Sequence, residues 1–338
     1  EVAQRARLAA ELAPRLAALA ARAAAAGVPI TIDAEESERL EPTLELFAQL
    51  ARDARLAGWN GLGLAVQAYQ RRALHVCDWL VALAAASGRR LMVRLVKGAY
   101  WDSEIKAAQV LGLDDYPVFT RKSATDVSYL ACAQALLAAG PGLFAQFATH
   151  NSHTVAAVLE LAAGRRDFEF QKLQGMGDAL YGALVPELGL PCRVYAPVGG
   201  HRDLLAYLVR RLLENGANSS FVHQVGDPAV PLERLVADPL EALPRPYAPH
   251  PRIPRPLDLF PDRRNSRGVD LSDRAAIGRL TARIAADRAH ALAAPPATSA
   301  AALDVAARTA ASAAPAWNAT PVAARAHCLE RAADALEA

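Results

Sequence analysis

Between residues 28 and 199 the chain alternates between short apolar runs and longer segments in which apolar residues recur every three or four positions. Short apolar runs bounded by polar residues predict buried strands, and the longer spacing predicts amphipathic helices. Their alternation predicts an α/β fold built from successive parallel β-α units. The six predicted strands are PITID (29–33), GLGLAVQAY (61–69), RLMVRLVKG (90–98), LFAQFATHN (143–151), DFEFQKLQG (167–175) and CRVYAPVG (192–199).

Each predicted strand is apolar through its middle and carries polar or charged residues near its carboxyl end. A closed β/α barrel collects functional groups there from many strands, whereas a doubly wound sheet concentrates its ligand contacts at one switch point. The doubly wound alternative should also show G-x-G-x-x-G, but the GMG sequence at 175–177 is followed by Leu180 where the third glycine belongs. The pattern therefore predicts a (β/α)8 barrel of the TIM type. Because the chain begins within a helical pattern (residues 4–26), the first two strands are expected before Glu1.

The helix predicted over HRDLLAYLVRRLLENG (201–216) carries two adjacent arginines, Arg210 and Arg211. Neighbouring guanidinium groups repel each other, so the pair predicts an anionic ligand, and a guanidinium fork matches a carboxylate. The arginines share one face with Tyr207 and Glu214, which predicts a common site organised by Glu214. A solvated arginine edge is the alternative. The spacing places six residues on a second face that is predicted to be buried: Leu204, Leu205, Leu208, Val209, Leu212 and Leu213.

Composition excludes several classes of protein. The 338 residues are 53% hydrophobic and 21% charged, which is typical of one large or two ordinary globular domains. The net charge of +2 gives no indication of a nucleic-acid partner. The four cysteines are scattered without C-x-x-C spacing, which predicts a reducing cytosol rather than a disulfide framework or a zinc site. No signal peptide is recognisable, and no apolar run approaches the roughly 18 residues of a membrane span.

The amino-acid composition changes after the helix predicted over residues 201–216. Ten of the 22 prolines fall between Pro228 and Pro261, which predicts an extended connector rather than regular structure. Beyond the connector, residues 271–293 and 298–338 are alanine-rich with a helical pattern. The predicted organisation is therefore a barrel over 1–226, a connector over 227–270 and a helical region over 271–338.

Side chains at the predicted strand ends are mainly cations, amides and aromatic rings. Such groups suit a flavin, because its ring needs hydrogen bonds along the pyrimidine edge and positive charge near N1 or N5. The TRK sequence at 120–122 offers donors to a flavin pyrophosphate, with an ordinary surface loop as the alternative. The strand-end groups are Gln67, Arg94, Lys97, His150, Asn151, Gln171, Lys172 and Tyr195.

Three other interpretations of these residues stay open on the pattern alone. Lys97 sits where aldolase barrels carry a Schiff-base lysine. Asp33 ends its strand in TIDAEE, where it either belongs to the site or caps the next helix. His150 and His153 lie three residues apart, but no set of carboxylate partners accompanies them, so no metal is expected.

Several ordered segments resemble a known family over roughly residues 28–238. They are ITIDAEE, GWNG followed by VQAYQRR, RLVKGAYWDSEIK, TRKSATDVSYLACA, FATHNSHT, FEFQKLQGMG and RVYAPVGGHRDLLAYLVRRLLENGANSSFV. Together they resemble the proline dehydrogenase barrel of the bifunctional flavoenzymes of the proline utilisation A family. The resemblance implies oxidation of L-proline to Δ1-pyrroline-5-carboxylate, with transfer of a hydride from C5 of proline to N5 of FAD. It also implies a quinone acceptor at the membrane surface and a cytoplasmic protein that associates peripherally with the inner membrane.

The resemblance assigns roles to individual residues. Arg210 and Arg211 would clamp the proline carboxylate, Tyr195 would pack against the substrate ring, and Arg94 would approach N5 of the flavin. The remaining implied substrate contacts are Asp33, Tyr100, Ala99 and Leu173. The implied flavin contacts are Gln67, Arg94, Val96, Lys97, Gly98, Ala99, Trp101, Thr120, Arg121, Lys122, Thr149, His150, Asn151, Gln171, Lys172, Leu173, Arg211 and Glu214.

The end of the chain resembles the start of the family's second half. HPRIPRPLDLFPDRRNSRGVDLSD and PAWNATPVAARAHCLERAADALEA are similar to the connector and first helices of an NAD-dependent aldehyde dehydrogenase. NAD would serve only that second activity, which completes the conversion of proline to glutamate, and its nucleophilic cysteine is expected beyond Ala338. The resemblance is also compatible with a homo-oligomer. The alternatives to an active enzyme are a non-catalytic fragment and a Schiff-base aldolase that uses Lys97.

Overall fold

The computed structural model describes residues 4–216, 224, 227–289 and 297–337, without the side chains of residues 206, 210, 212–216, 287–289 and 337. All six predicted strands are confirmed, and each is shorter than predicted. They are β1 (Ile30–Ile32), β2 (Leu62–Gln67), β3 (Leu91–Val96), β4 (Leu143–Ala148), β5 (Phe168–Leu173) and β6 (Cys192–Tyr195).

The strands form one parallel sheet in the order β1-β2-β3-β4-β5-β6. Every strand therefore pairs with the next one along the chain, and the order never reverses. A doubly wound sheet would need such a reversal at its switch point. The order is that of successive units around a barrel, so the predicted α/β fold of the barrel type is confirmed.

A helix follows each strand. These helices are α2 (Leu40–Ala51), α3 (Ala73–Ser87), α4 (Trp101–Leu111) with α5 (Lys122–Ala138), α6 (Ser152–Ala162), α7 (Asp178–Leu188) and α8 (His201–Gly216). Before β1 lies α1 (Ala13–Ala25), which continues a helical turn (Arg5–Arg7) and a short π-helix (Leu8–Leu12).

The two faces of the sheet have different compositions because side chains alternate along each strand. On β2, β3 and β4 the outward positions are apolar and buried beneath the helices, and Phe147 packs there with Phe168 and Phe170 of β5 in edge-to-face and tilted arrangements, with ring centres 5.5 to 6.2 Å apart. The inward positions carry polar groups. Arg94 is opposite Gln146, Gln146 is opposite Glu169, and Gln171 is opposite Arg193 in the registers of neighbouring strands.

One expectation about α8 is wrong. The face predicted to be buried is largely exposed where its side chains are described, with 62% of Leu205, 52% of Leu208 and 45% of Val209 accessible. Helical spacing identifies which residues share a face, but burial also needs a partner element, and α8 follows β6, the last strand in the sheet order. Leu212 and Leu213 lie outside the described side chains.

The described chain divides into two compact units. The first comprises Glu1–Val110 with Asp114–Pro256, and the second comprises Leu111–Leu113 with Leu257–Ala338. The second contains three helices among its described residues: Arg274–Ala289, Ala300–Ala319 and Val322–Glu337. The two units divide after Pro256, within the proline-rich stretch. The predicted limits of the connector, at residues 227 and 270, stay predictions.

Candidate active site

Arg94 occupies the centre of a polar site at the carboxyl ends of the strands. Its Nε donates to Oε1 of Gln171 at 2.9 Å, and its Nη1 donates to the carboxylate of Asp33. Its guanidinium carbon lies 5.2 Å from the centre of the Tyr195 ring. Four strands or their following loops thus meet at one side chain, which is only 18% exposed. Asp33 pairs with Arg94 and does not cap the next helical turn, whose N-cap is Glu36.

Below Arg94, a carboxylate organises the inward face of the sheet. Glu169 is 4% exposed and accepts hydrogen bonds from Arg193 at 2.8 and 3.0 Å, from Gln146 at 2.7 Å and from Gln171 at 2.8 Å. Burial alone would raise the pKa of Glu169, but these hydrogen bonds hold it below its ordinary value. The carboxylate is therefore charged near neutral pH.

Gln67 joins the loops that follow β1 and β3. Its Nε2 donates to the backbone carbonyl of Glu35 at 2.7 Å, and its Oε1 accepts from the amide of Ala99 at 3.2 Å. Both ends of this buried amide are thereby used. Gln67 therefore fixes the relative position of the segment that carries Asp33 and the segment that carries Ala99.

The β3 loop also depends on a glycine. Gly98 has φ +141°, and a Cβ added to it would lie 2.4 Å from the ring of Tyr69. The loop can therefore pass over the Tyr69 ring only with glycine at this position. Beyond it, Trp101 begins α4, and its Nε1 donates to the carbonyl of Phe119 at 2.8 Å.

Two lysines near the strand ends have carboxylate partners. Lys97 pairs with Asp126 of α5, and Lys122 lies 3.5 Å from the same carboxylate. Burial lowers the pKa of Lys97, and Asp126 opposes that effect. Lys172 pairs with Asp178 at the start of α7. These pairs hold cations at the rim of the site.

The β4 loop carries His150 beside the cationic end of the site. Its Nε2 accepts the backbone amide of Leu173 at 3.1 Å, so this nitrogen is unprotonated. Burial, together with the charges of Arg211 and Lys172, lowers the pKa of His150 to about 4. The ring is therefore neutral near pH 7. Asn151 caps α6 by accepting the amide of Thr154 at 3.1 Å.

The TRK sequence does not form a free surface loop. Thr120 is 7% exposed, and its hydroxyl accepts the amide of His250 at 3.0 Å. Arg121 donates to the carbonyls of Ala248 and Pro249 at 2.7 and 3.1 Å. The proline-rich segment therefore binds the side chains of Thr120 and Arg121, two residues implied to contact the flavin.

Helix α8 brings one of the two predicted arginines to the site. The guanidinium carbon of Arg211 lies 5.4 Å from the centre of the Tyr207 ring, and its charge acts on both His150 and Tyr195. Burial raises the pKa of Tyr195, so its hydroxyl stays protonated. The side chains of Arg210 and Glu214 lie outside the described residues.

The structure thus brings most of the predicted side chains together on the strand ends. Val96 ends β3, Leu173 ends β5 and is 4% exposed, and Thr149 accepts the amide of Asn151 at 3.2 Å. Sequence reasoning missed the acidic partners that hold these residues: Asp126, Asp178 and Glu169. The position of Glu169 in the sequence could have identified it, because it lies two residues before Gln171 and therefore on the same face of the strand.

The fold and site together define an α/β barrel-type protein with a basic, amide-rich site at the carboxyl ends of its strands. The sequence model of the family described as proline dehydrogenase matches residues 1–224. The chain therefore belongs to the proline dehydrogenase family, which confirms the resemblance seen in the sequence.

Named relatives agree with this assignment. The chain is 51% identical over 296 residues to bifunctional protein PutA of Klebsiella aerogenes, and the aligned region covers 83% of this chain and 23% of the relative. It is 53% identical over 289 residues to bifunctional protein PutA of Rhizobium meliloti, with 82% and 23% covered. A crystal structure of bifunctional proline utilization A superposes with a TM-score of 0.90 at 53% identity, over 100% of this chain and 34% of that one. The chain thus spans about a quarter of the length of these curated relatives.

None of the described helices combines the length and apolarity needed to cross a membrane. The same part of the chain contains no group of three or more histidine, cysteine, aspartate or glutamate side chains arranged to hold a metal ion.

Proposed function

We propose that this chain provides the FAD-dependent step in which L-proline is oxidised to Δ1-pyrroline-5-carboxylate. The observation that carries the proposal is the convergence of Arg94, Asp33, Tyr195 and Arg211 on one site in a chain of the proline dehydrogenase family. The relatives' names describe proline utilisation, and the site chemistry supports the same substrate here.

The substrate carboxylate would bind to arginine. Arg211 provides a permanent cation near His150 and Tyr195, and a guanidinium fork binds a carboxylate through two parallel hydrogen bonds. Because His150 is neutral, it adds no competing positive charge on that side. Arg210 is proposed as the second half of the clamp. The aromatic face of Tyr195, with Leu173 and Tyr100, would enclose the apolar ring carbons.

The donor set at the strand ends fits FAD. The buried amides of Gln67 and Gln171 hold Ala99 and Arg94, two residues implied to contact the flavin, while Lys97, Thr120, Arg121 and Lys122 supply positive charge and a hydroxyl suited to its pyrophosphate. The charges near these donors are balanced, since Lys97 and Lys122 share Asp126. FAD, when bound, would accept the hydride that proline loses from C5.

The protein residues contribute position more than acid-base chemistry. Proline must lose a proton from its amine as well as the hydride, and the neutral amine is the reactive form. Arg94 is held by three partners, and such preorganisation converts binding energy into rate. We expect the rate to rise with pH through the pKa of the bound substrate amine.

Further steps are proposed by analogy with the longer relatives. Electrons would pass to a quinone at the membrane surface, so a cytoplasmic protein would dock peripherally on the inner membrane. The helices after the connector would open an NAD-dependent aldehyde dehydrogenase half. Self-association into a homo-oligomer is compatible with docking on the membrane and with the aldehyde dehydrogenase half.

Colour provides the test. The purified chain, incubated with FAD and desalted, should retain the visible absorption of oxidised flavin, and anaerobic L-proline should bleach it while D-proline should not. Failure to retain FAD would contradict the cofactor assignment. Retained FAD that proline does not bleach would contradict the substrate assignment for this chain.

A Schiff-base aldolase that uses Lys97 is the competing mechanism. The ion pair between Lys97 and Asp126 stabilises the ammonium form, whereas a Schiff base needs the free amine. Borohydride reduction in the presence of a carbonyl substrate would trap a covalent adduct at Lys97 under the aldolase mechanism. We expect no adduct.

A further inference from the structure

Glu169 is a buried carboxylate that the proposed reaction does not use. It lies on β5 two residues before Gln171, on the inward face of the sheet, and 96% of its surface is covered. A single oxygen, Oε1, accepts from Gln146, Gln171 and Nε of Arg193, and Oε2 accepts from Nη2 of Arg193. Every one of these partners is a donor.

The chemistry of the donors fixes the rotation of the Gln171 amide. A carboxylate only accepts hydrogen bonds, so Gln171 must present its Nε2 to Glu169. Its Oε1 then faces the opposite way and accepts from Nε of Arg94 at 2.9 Å. Arginine only donates, so the amide could not satisfy Arg94 in its other orientation.

We propose that Glu169 is a positioning residue that orients Arg94 through the amide of Gln171. The chain of contacts runs from the carboxylate to Nε2 of Gln171, and from Oε1 of Gln171 to Nε of Arg94. Arg94 in turn bonds Asp33 and faces the Tyr195 ring, so its orientation sets the geometry of the candidate site. The effect of Glu169 on the reaction rests on the proposed function, whereas its effect on the orientation of Arg94 does not.

A simpler role as counter-ion for Arg193 does not account for the contacts. Arg193 is half exposed, with 51% of its side chain accessible, and a surface arginine needs no buried amides around its partner. Glu169 nevertheless draws two buried amides, Gln146 and Gln171, onto one oxygen. Orientation of these amides is the function that a counter-ion alone would lack.

The substitution Glu169→Met tests this role because it removes every acceptor at the position. Nε2 of Gln171 then loses its partner, so nothing holds that amide in the rotation that presents Oε1 to Arg94. A matched control is Glu160→Met, which removes one carboxylate from an exposed position on α6.

A double-mutant cycle tests the proposed route. In the chain reconstituted with FAD, Glu169→Met should lower kcat with proline roughly tenfold or more, with FAD content unchanged. In an Arg94→Lys background the same substitution should change kcat by less than about twofold, because the group it positions is already altered. Equal effects in both backgrounds would overturn the proposal. Glu160→Met should leave kcat unchanged in both.

A second measurement needs neither flavin nor proline. Heteronuclear NMR of the arginine Nε–H groups, with Arg94 assigned by its loss in Arg94→Lys, should show a shifted Arg94 resonance in Glu169→Met and an unshifted one in Glu160→Met. An unshifted resonance in Glu169→Met would overturn the proposal. This readout remains valid if the flavin experiment contradicts the proposed function.

A paired variant controls for loss of folding. Removing only one partner of an ion pair is more destabilising than removing both. Glu169→Met/Arg193→Met removes the carboxylate together with its counter-ion. It should reproduce the shifted Arg94 resonance, and an Arg94 resonance identical to that of Arg193→Met alone would overturn the proposal.

Discussion

The carboxylate of Glu104 accepts two hydrogen bonds from Ser37, one from its backbone amide at 2.5 Å and one from its hydroxyl at 2.7 Å. Both residues are buried. Glu104 lies one helical turn after Tyr100, and Ser37 lies four residues after Asp33. The contact therefore ties together two segments that carry proposed substrate contacts.

Glu104→Gln should weaken this connection. The amide keeps one acceptor for Ser37 but loses the charge, so we expect a loss of about 1–2 kcal/mol in the free energy of unfolding. KM for proline should rise more than kcat falls, because the loops that enclose the substrate loosen. Urea unfolding and steady-state kinetics measure both. The exposed Glu160→Gln should match wild type, and an unchanged KM in Glu104→Gln would contradict the role assigned to this contact.

Gly98→Ala should be strongly destabilising. A Cβ at this position would lie 2.4 Å from the Tyr69 ring, and the backbone has φ +141°. Strain and displacement together should cost ~2–4 kcal/mol, and retention of FAD should fall because the β3 loop moves. Gly88→Ala provides the control, since Gly88 also has positive φ (+64°) but no atom within 4 Å of an added Cβ. Equal losses of stability in the two variants would show that the Tyr69 contact is unimportant.

Arg211→Met should weaken proline binding and leave the flavin in place. Loss of a charge-assisted contact to a carboxylate costs about 3 kcal/mol, which is roughly a hundredfold in affinity. The measurements are KM for proline and FAD content after desalting. Arg202→Met, an exposed arginine on the same helix, is the control. Loss of FAD with unchanged proline affinity would contradict the assignment of Arg211 to the carboxylate.

His150 makes the stability of the chain depend on pH. Burial, Arg211 and Lys172 lower its pKa from 6.5 to about 4 in the folded state. Between these values the unfolded chain binds a proton that the folded chain does not, so stability falls as pH decreases from 6.5 toward 4 and is unaffected above 6.5. His150→Gln, which can still accept the amide of Leu173, should lose less stability over this range.

Thermal unfolding at pH 7.5 and pH 5 tests this difference in both proteins. Other groups titrate in the same range, but they contribute equally to wild type and variant. The quantity of interest is therefore the difference between the two shifts in Tm. Identical shifts would show that His150 titrates normally in the folded chain.

Much of the fold could be predicted because strand signals are local. Each apolar run produced a strand, and the polar residues at its end produced the site, since parallel strands bring their carboxyl ends to one side of a barrel. Arg94 and Gln171 were therefore placed correctly as strand-end groups. Their mutual hydrogen bond was not predicted, because it depends on the register between β3, β4 and β5 rather than on any one segment.

Other features escaped prediction because they depend on contacts between distant segments. The apolar spacing in α8 predicted a buried face, but Leu205 is 62% exposed, since spacing does not specify what covers a helix. Nothing in the sequence identifies Ser37, 67 residues away, as the partner of Glu104. The proline content of the connector predicted extended structure, but it could not predict which loop the connector would bind.

The contacts of that connector determine where the first unit can be cut. Arg121 donates to the carbonyls of Ala248 and Pro249, and the Tyr116 hydroxyl donates to the carbonyl of Pro254 at 2.7 Å. A shortened protein that ended near residue 226 would remove these acceptors and leave a guanidinium and a phenol to find new ones. For anyone who trims this chain for biophysical work, Pro256 is therefore a sounder last residue than the end of the helix that carries the arginine pair.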